Sequence, residues 1–255
     1  MPEVYDRCLG PVLFAPYAQE LARRAVVLSP TRVLELAAGS GILTAALVRE
    51  LPDAQVTATD LNEAMVGWGR ARVPAAAWRR CDAQALDLPD ASFDLVVSQF
   101  GVMFFPDRVA AHAEAARVLR PGGTSMFAVW DVVAGSTFTM ALVEALAEVL
   151  PDDPPRFIVE VPHGYTDPGR IVADLTAGGL VPGDCERVVL PTRAPSAGSL
   201  AEGFALGTPL RFALQERGEL EELVPALAAA MTAQLGEGPV SGELAAWVVT
   251  GSRAG

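Results

Sequence analysis

Short, almost wholly apolar runs alternate with helix-periodic segments through the first half of this 255-residue chain, and that alternation restricts the fold more than any other feature. Residues 33–36, 56–60, 93–98 and 125–130 read as strands. Between them, 42–51 (stopped by Pro52), 63–72 and 109–119 (ended by Arg120-Pro121-Gly122-Gly123) read as helices. Strands that are apolar at nearly every position need cover on both faces, and strand–helix–strand order supplies it in a parallel sheet. The expected fold is α/β, a doubly wound and mostly parallel sheet.

The second half departs from this rhythm. Residues 136–150 place Phe138, Leu142, Ala145 and Val149 on one helical stripe, and 219–235 do the same with Leu220, Leu223, Leu227 and Met231. A short helix is expected over 168–178, and strands over 186–190 and 244–249. Helices that interrupt the strand order read as insertions capping the sheet's carboxyl edge, where ligands bind in such folds; ordinary core packing of the same stripes is the alternative. A further helix, 5–24, precedes the first strand. The expected organisation is one domain over 1–255. Its cofactor-binding half is 1–130, its helical cap with substrate-side insertions around a late strand is 131–243, and its last strand is 244–255.

Composition removes several chemistries. All 19 basic residues are arginine. Without a lysine there is no pyridoxal Schiff base and no P-loop. A net charge of -12 with scattered arginines argues against nucleic acid as a partner. Met1 to Arg7 carries acids and no apolar stretch, so no signal peptide is expected, and no run approaches the ~18 apolar residues of a membrane helix. Three distant cysteines, two histidines and no C-x-x-C point to a reducing, cytoplasmic setting and no metal.

The chemistry concentrates after the first strand. Glu35-Leu36-Ala37-Ala38-Gly39-Ser40-Gly41 joins a strand to a helix, where small residues let the backbone approach a ligand and the helix start offers unpaired N–H groups. Asp60 ends the next strand about twenty residues later, where a carboxylate can accept from both hydroxyls of a ribose. The alternative is turn geometry for the glycines and a helix-capping role for Asp60. With Glu35 in the approach to the loop, a ligand with a cationic head suits the site better than a pyrophosphate.

These motifs resemble those of class I S-adenosylmethionine-dependent methyltransferases, of the UbiE-like, type 11 group. Val33 to Gly41 resembles the family's first motif and Thr59-Asp60-Leu61-Asn62-Glu63-Ala64-Met65 its ribose-binding acid motif. Cys81-Asp82-Ala83-Gln84-Ala85-Leu86, continuing to Phe93-Asp94, resembles the adenine segment and fourth strand, and Arg117-Val118-Leu119-Arg120-Pro121-Gly122-Gly123 the turn before the fifth strand. Four ordered motifs span about ninety residues; beyond roughly residue 131 the likeness is only in outline.

The resemblance implies a Rossmann-like fold, S-adenosyl-L-methionine as cofactor and S-adenosyl-L-homocysteine as product. It implies that Glu35, Ala37, Gly39 and Gly41 run close to the methionine part, with Thr44 reaching its carboxylate. Asp60 would hold the ribose and Leu61 and Met65 would flank the adenine. Asp82 would accept from the adenine amine, the Ala83 N–H would meet a ring nitrogen, and Gln99 would face the methionine end. Ala37 stands where the first glycine is usual. Trp130 replaces an acid of quinone-modifying relatives and Val102 follows Phe100-Gly101 where they carry asparagine, which argues against a quinone acceptor.

In-line methyl transfer needs mainly a positioned nucleophile in a dry pocket, with a general base optional. His163 is the candidate base, with a structural loop role as the alternative; His112 sits on an apolar helical stripe and reads as core. Tyr17, Phe100, Phe104 and Trp130 are candidates for an apolar acceptor pocket, favouring a small hydrophobic or aromatic molecule. The competing reading is a cofactor-binding relative that catalyses a non-methylating reaction, such as cyclisation, or serves as a binding module.

Overall fold

The computed structural model describes residues 2–255. Seven strands form one sheet in the order β3-β2-β1-β4-β5-β7-β6. They are β1 (Arg32–Glu35), β2 (Gln55–Asp60), β3 (Ala77–Arg80), β4 (Phe93–Gln99), β5 (Leu119–Trp130), β6 (Val181–Ala194) and β7 (Val240–Ser252). The first five run parallel, with Val33 opposite Val56 on one side and Leu95 on the other. β7 runs antiparallel to β5, since Gly122 donates to the carbonyl of Arg253 and Asp131 to that of Ala245. The chain lays β2 and β3 on one side of β1 and then returns to start β4 on the other. β1 and β4 therefore flank the point where the winding reverses, and their carboxyl ends open the crevice in which ligands bind in such sheets.

Two compact units are distinguished. The larger comprises residues 17–130, 165–188 and 247–255. It holds most of α2 (Ala15–Leu28), then α3 (Ile42–Glu50), α4 (Glu63–Arg72), α5 (Arg108–Val118) and α8 (Pro168–Ala177). Val33, Leu34, Ala58, Leu95, Val97 and Ala128 are fully buried, as strands covered on both faces require. Side chains mark the helix starts: Asn62 accepts from Ala64 N ahead of α4, Asp107 from Ala110 N ahead of α5, and Asp167 from Gly169 N ahead of α8. β3 is absent from the sequence expectation because only Trp78 of its four residues is buried. That indole packs over Gly69, where an added Cβ would stand 2.1 Å from the ring.

Among the described residues the other unit comprises 2–16, 131–164 and 189–246. It contains α1 (Pro2–Val4), the π-helical Tyr5–Phe14, α6 (Thr137–Val149), α7 (Phe157–Glu160), α9 (Ala197–Gly207), α10 (Leu210–Gln215) and α11 (Leu220–Leu235). The helix expected over 5–24 forms, but winds wider around Pro11, which has no N–H to give. Phe138, Leu142 and Ala145 of α6 are buried as their spacing requires, as are Leu227 and Met231 of α11. β6 is longer than expected and accommodates Pro182 and Pro191 because it is the last strand of the sheet. Among the described residues no helix is long and apolar enough to cross a membrane.

Candidate cofactor site

The loop after β1 is tied to both neighbouring strands. Leu36 N donates to Val97 O and Ala38 N to Thr59 O, each at 2.9 Å. Gly39 N donates to Asp60 Oδ2 at 2.8 Å, and Asn62 N to Asp60 Oδ1 at 2.9 Å. Asp60 thus fastens the loop and opens α4, with its carboxylate half-exposed at the carboxyl end of β2. Three loop residues lie in the left-handed region: Ala37 (φ 53°), Gly39 (φ 55°) and Gly41 (φ 84°). At Gly39 a Cβ would meet nothing within 4 Å, so the backbone faces open space there. Ala37 holds its conformation despite its methyl, at a cost of order 1 kcal/mol.

Glu35 lies beneath this loop, 1% exposed. Thr44 Oγ1 donates to Glu35 Oε2 at 2.6 Å, and Thr59 Oγ1 donates to the Glu35 carbonyl at 2.8 Å. Burial pushes the Glu35 carboxyl up to about 8, against the Thr44 hydrogen bond, and the charge of Asp60 pushes in the same direction as burial. The carboxyl is therefore mostly protonated at neutral pH, and an adjoining cation would favour its ionisation. Thr44 is wholly buried, its hydroxyl committed to Glu35.

The segment expected to meet the adenine follows β3. Asp82 Oδ1 accepts from Gln84 N at 2.9 Å and from Gln84 Nε2 at 3.2 Å, an Asx turn that fixes the carboxylate. Ala83 is buried, Leu61 is 60% exposed after β2, and Met65 is half-buried on the first turn of α4. Gln99 ends β4, half-buried. The structure adds Thr59 and Gln84, to which the sequence reading assigned no role; the Asp82-x-Gln84 spacing of an Asx turn was the available signal.

Three of the four aromatic candidates come together. Phe100 and Trp130 stack at 3.6 Å between centroids with 9° between planes, and Tyr17 meets both edge-on at 5.3 and 5.6 Å. The rings are buried, and Tyr17 OH donates to Val188 O at 2.7 Å. Phe100 has φ 57°, a backbone held in place by its N–H bond to Ala128 O. Phe104 stands outside this cluster, 48% exposed on a single turn.

His163 belongs to the second unit and is 8% exposed. Its Nδ1 lies 2.6 Å from the Asp131 carbonyl oxygen. A carbonyl only accepts, so Nδ1 carries the proton and Nε2 the lone pair. Burial holds the imidazole's pKa below its ordinary value, which keeps it neutral. Among the described residues no group of three or more His, Cys, Asp or Glu side chains is arranged to hold a metal.

Residues 33–123 match the family model described as a methyltransferase domain. The chain is 32% identical over 165 residues to the ubiquinone/menaquinone biosynthesis C-methyltransferase UbiE of Cupriavidus metallidurans, covering 58% of this chain and 67% of that protein. The YcgJ protein of Bacillus subtilis superposes with a TM-score of 0.60 at 18% identity, covering 94% of this chain and 99% of that one. Haemonchus contortus phosphoethanolamine N-methyltransferase 2, solved with phosphomonomethylethanolamine and S-adenosylhomocysteine, gives 0.61 at 16% identity over 100% of this chain and 57% of that one. The matched segment opens at β1, runs through the Gly39 loop, Asp60 and Asp82, and closes at Gly123 within β5. The matched sequence and the strand order agree, and the chain belongs to the class I S-adenosylmethionine-dependent methyltransferase family.

Proposed function

We propose that this protein transfers a methyl group from S-adenosylmethionine to an O, N or C atom of a small hydrophobic or aromatic molecule by in-line displacement. The observation that carries the reading is the junction of Gly39 N with Asp60 Oδ2. It sets the half-exposed Gly39 backbone beside an acid at the switch point of the sheet. The residues present suit the cofactor: an acid for a ribose diol, Asp82 for an exocyclic amine, and the exposed Leu61 for a flat ring. Gly39 leaves the backbone open to close approach.

When bound, the cofactor supplies an electrophilic methyl on a sulfonium. Asp60 and Asp82 orient the nucleoside, Gly39 and Gly41 run beside the methionine part, and Glu35 answers its positive charge. Gln99, the last residue of β4, is assigned to the methionine side, and the Tyr17, Phe100 and Trp130 rings exclude water, which strengthens every electrostatic interaction left inside. The helices within 131–243 are assigned to acceptor selection, with the neutral His163 as the group that removes a proton where the acceptor carries one. The net charge of -12 disfavours nucleic acid as acceptor, and the setting we infer is cytoplasmic.

Calorimetry with S-adenosylhomocysteine tests the binding half of this reading, expecting saturable binding that Asp60→Ala weakens strongly. Equal or tighter binding of NAD would sink it. Label from methyl-labelled cofactor, followed into acceptors of a cell extract by mass shift, tests the transfer half.

A further inference from the structure

The segment between β3 and β4 has little secondary structure of its own, only an isolated bridge between Asp82 and Ala85, yet its backbone is closely held. Cys81 N donates to Asp60 O at 3.0 Å at its start, and beyond that most of its ties come from α5 and its ends. At the N-terminus of α5, Asp107 N donates to Gln84 Oε1 at 2.7 Å, while Gln84 Nε2 donates to Asp82. One turn and more along, Glu114 Oε2 accepts from Leu86 N at 2.7 Å. Arg117 donates to Leu86 O and to Leu88 O, both at 2.8 Å, and reaches Asp90 Oδ1 at 2.5 Å. The two side chains are locked together by a fork: Nε to Oε1 and Nη2 to Oε2, each at 2.8 Å. The Arg117 and Val118 carbonyls accept from Ala91 N and Ser92 N, and Arg253 Nη1 donates to the Arg117 carbonyl from the end of β7.

We infer that Glu114 and Arg117 are positioning residues for the Asp82 segment, setting how tightly and how selectively the site reads the cofactor's adenine. This inference rests on the cofactor reading above. The backbone amide and carbonyls of Leu86 and Leu88 have no strand ladder to join, and the Glu114–Arg117 pair takes the place of one. The forked guanidinium is needed for it. A lysine ammonium keeps the charge but cannot serve two carbonyls, Asp90 and both Glu114 oxygens at once. Neither side chain reaches the reacting atoms in this role. They act through the Leu86 and Leu88 backbone on the segment that carries Asp82.

The test compares binding of S-adenosylhomocysteine and S-inosylhomocysteine, whose base carries a carbonyl where adenine carries its amine. The wild-type chain is expected to prefer the adenine form. In Arg117→Lys the adenine form should weaken at least tenfold and the inosine form much less, so that the preference collapses, with faster amide hydrogen exchange over 82–90. Glu114→Gln, which keeps an acceptor for Leu86 N, should move the preference in the same direction by less, and decides the matter if Arg117→Lys does not fold. A purely structural pair would lower the unfolding temperature and leave the preference intact, and that result overturns the inference alone. A wild-type chain that binds neither compound overturns the cofactor reading itself.

Discussion

Gly39 and Asp60, twenty-one residues apart in sequence, meet through a 2.8 Å hydrogen bond from the Gly39 amide to Asp60 Oδ2. The same carboxylate accepts from Asn62 N, so one side chain sets the loop, the start of α4 and the acid presented at the end of β2. Asp60→Ala is expected to weaken S-adenosylhomocysteine binding roughly 10- to 100-fold, the range for charged hydrogen bonds worth about 1.5–3 kcal/mol. Asp60→Asn, which retains an acceptor, should fall between. Calorimetry measures both; equal affinities in all three chains would remove Asp60 from the site.

Glu35 gives the fold a distinctive pH dependence. Its carboxyl is raised to about 8 by burial, so the native state favours the protonated form. That contribution is fully present below the ordinary carboxyl value of 4.5 and is lost as pH rises through about 8. Glu35→Gln mimics the protonated state and can still accept from Thr44. Thermal unfolding of the two chains should agree most closely at low pH and diverge toward pH 9, with the variant the more stable there. Cofactor binding at pH 7 should release protons, read from calorimetry in buffers of different ionisation enthalpy.

His112 acts in the opposite direction. It is 4% exposed on α5, and burial lowers its pKa to about 4, with Arg108 adding to that and Asp174 opposing it. A depressed histidine contributes stability that is present above its ordinary value of 6.5 and is lost as pH falls toward about 4. The full span is worth about 3 kcal/mol. His112→Leu should flatten the acid side of the stability profile, measured by urea unfolding between pH 4 and 7.

Ala37 and Gly101 are in direct opposition: a Cβ added at Gly101 would stand 2.6 Å from the Ala37 Cβ and 2.8 Å from Ser98 Oγ. Gly101→Ala is therefore expected to destabilise by about 1–3 kcal/mol, as overpacking does. Ala37→Gly should stabilise slightly, since it relieves the left-handed alanine at φ 53°. The double variant should recover part of the Gly101→Ala loss, and a double-mutant cycle reads that coupling.

Much of the larger unit is legible in the sequence because its strands are apolar at nearly every position and its helices carry side-chain caps at Asn62, Asp107 and Asp167. β1, β2 and β4 begin and end within a residue of where that pattern places them. β3 escapes notice, since an edge strand burying only Trp78 has no pattern to show. Helix α9 escapes for another reason: Gly198, Gly203 and Gly207 disguise it, and Gly203 is there because Cys8 and Leu9 pack where its side chain would be. In the site, Glu35, Gly39 and Asp60 announce themselves by spacing. The bond between His163 and Asp131, thirty-two residues apart, and the stacking of Phe100 on Trp130 depend on tertiary packing that no local pattern encodes.

The central claim is methyl transfer, and the most direct measurement follows labelled methyl from S-adenosylmethionine into a small acceptor with the wild-type chain. The account predicts that label appears in a hydrophobic product in step with S-adenosylhomocysteine, and that Asp60→Ala suppresses both. Product formed while the cofactor stays intact would contradict it and assign the fold to a non-methylating reaction.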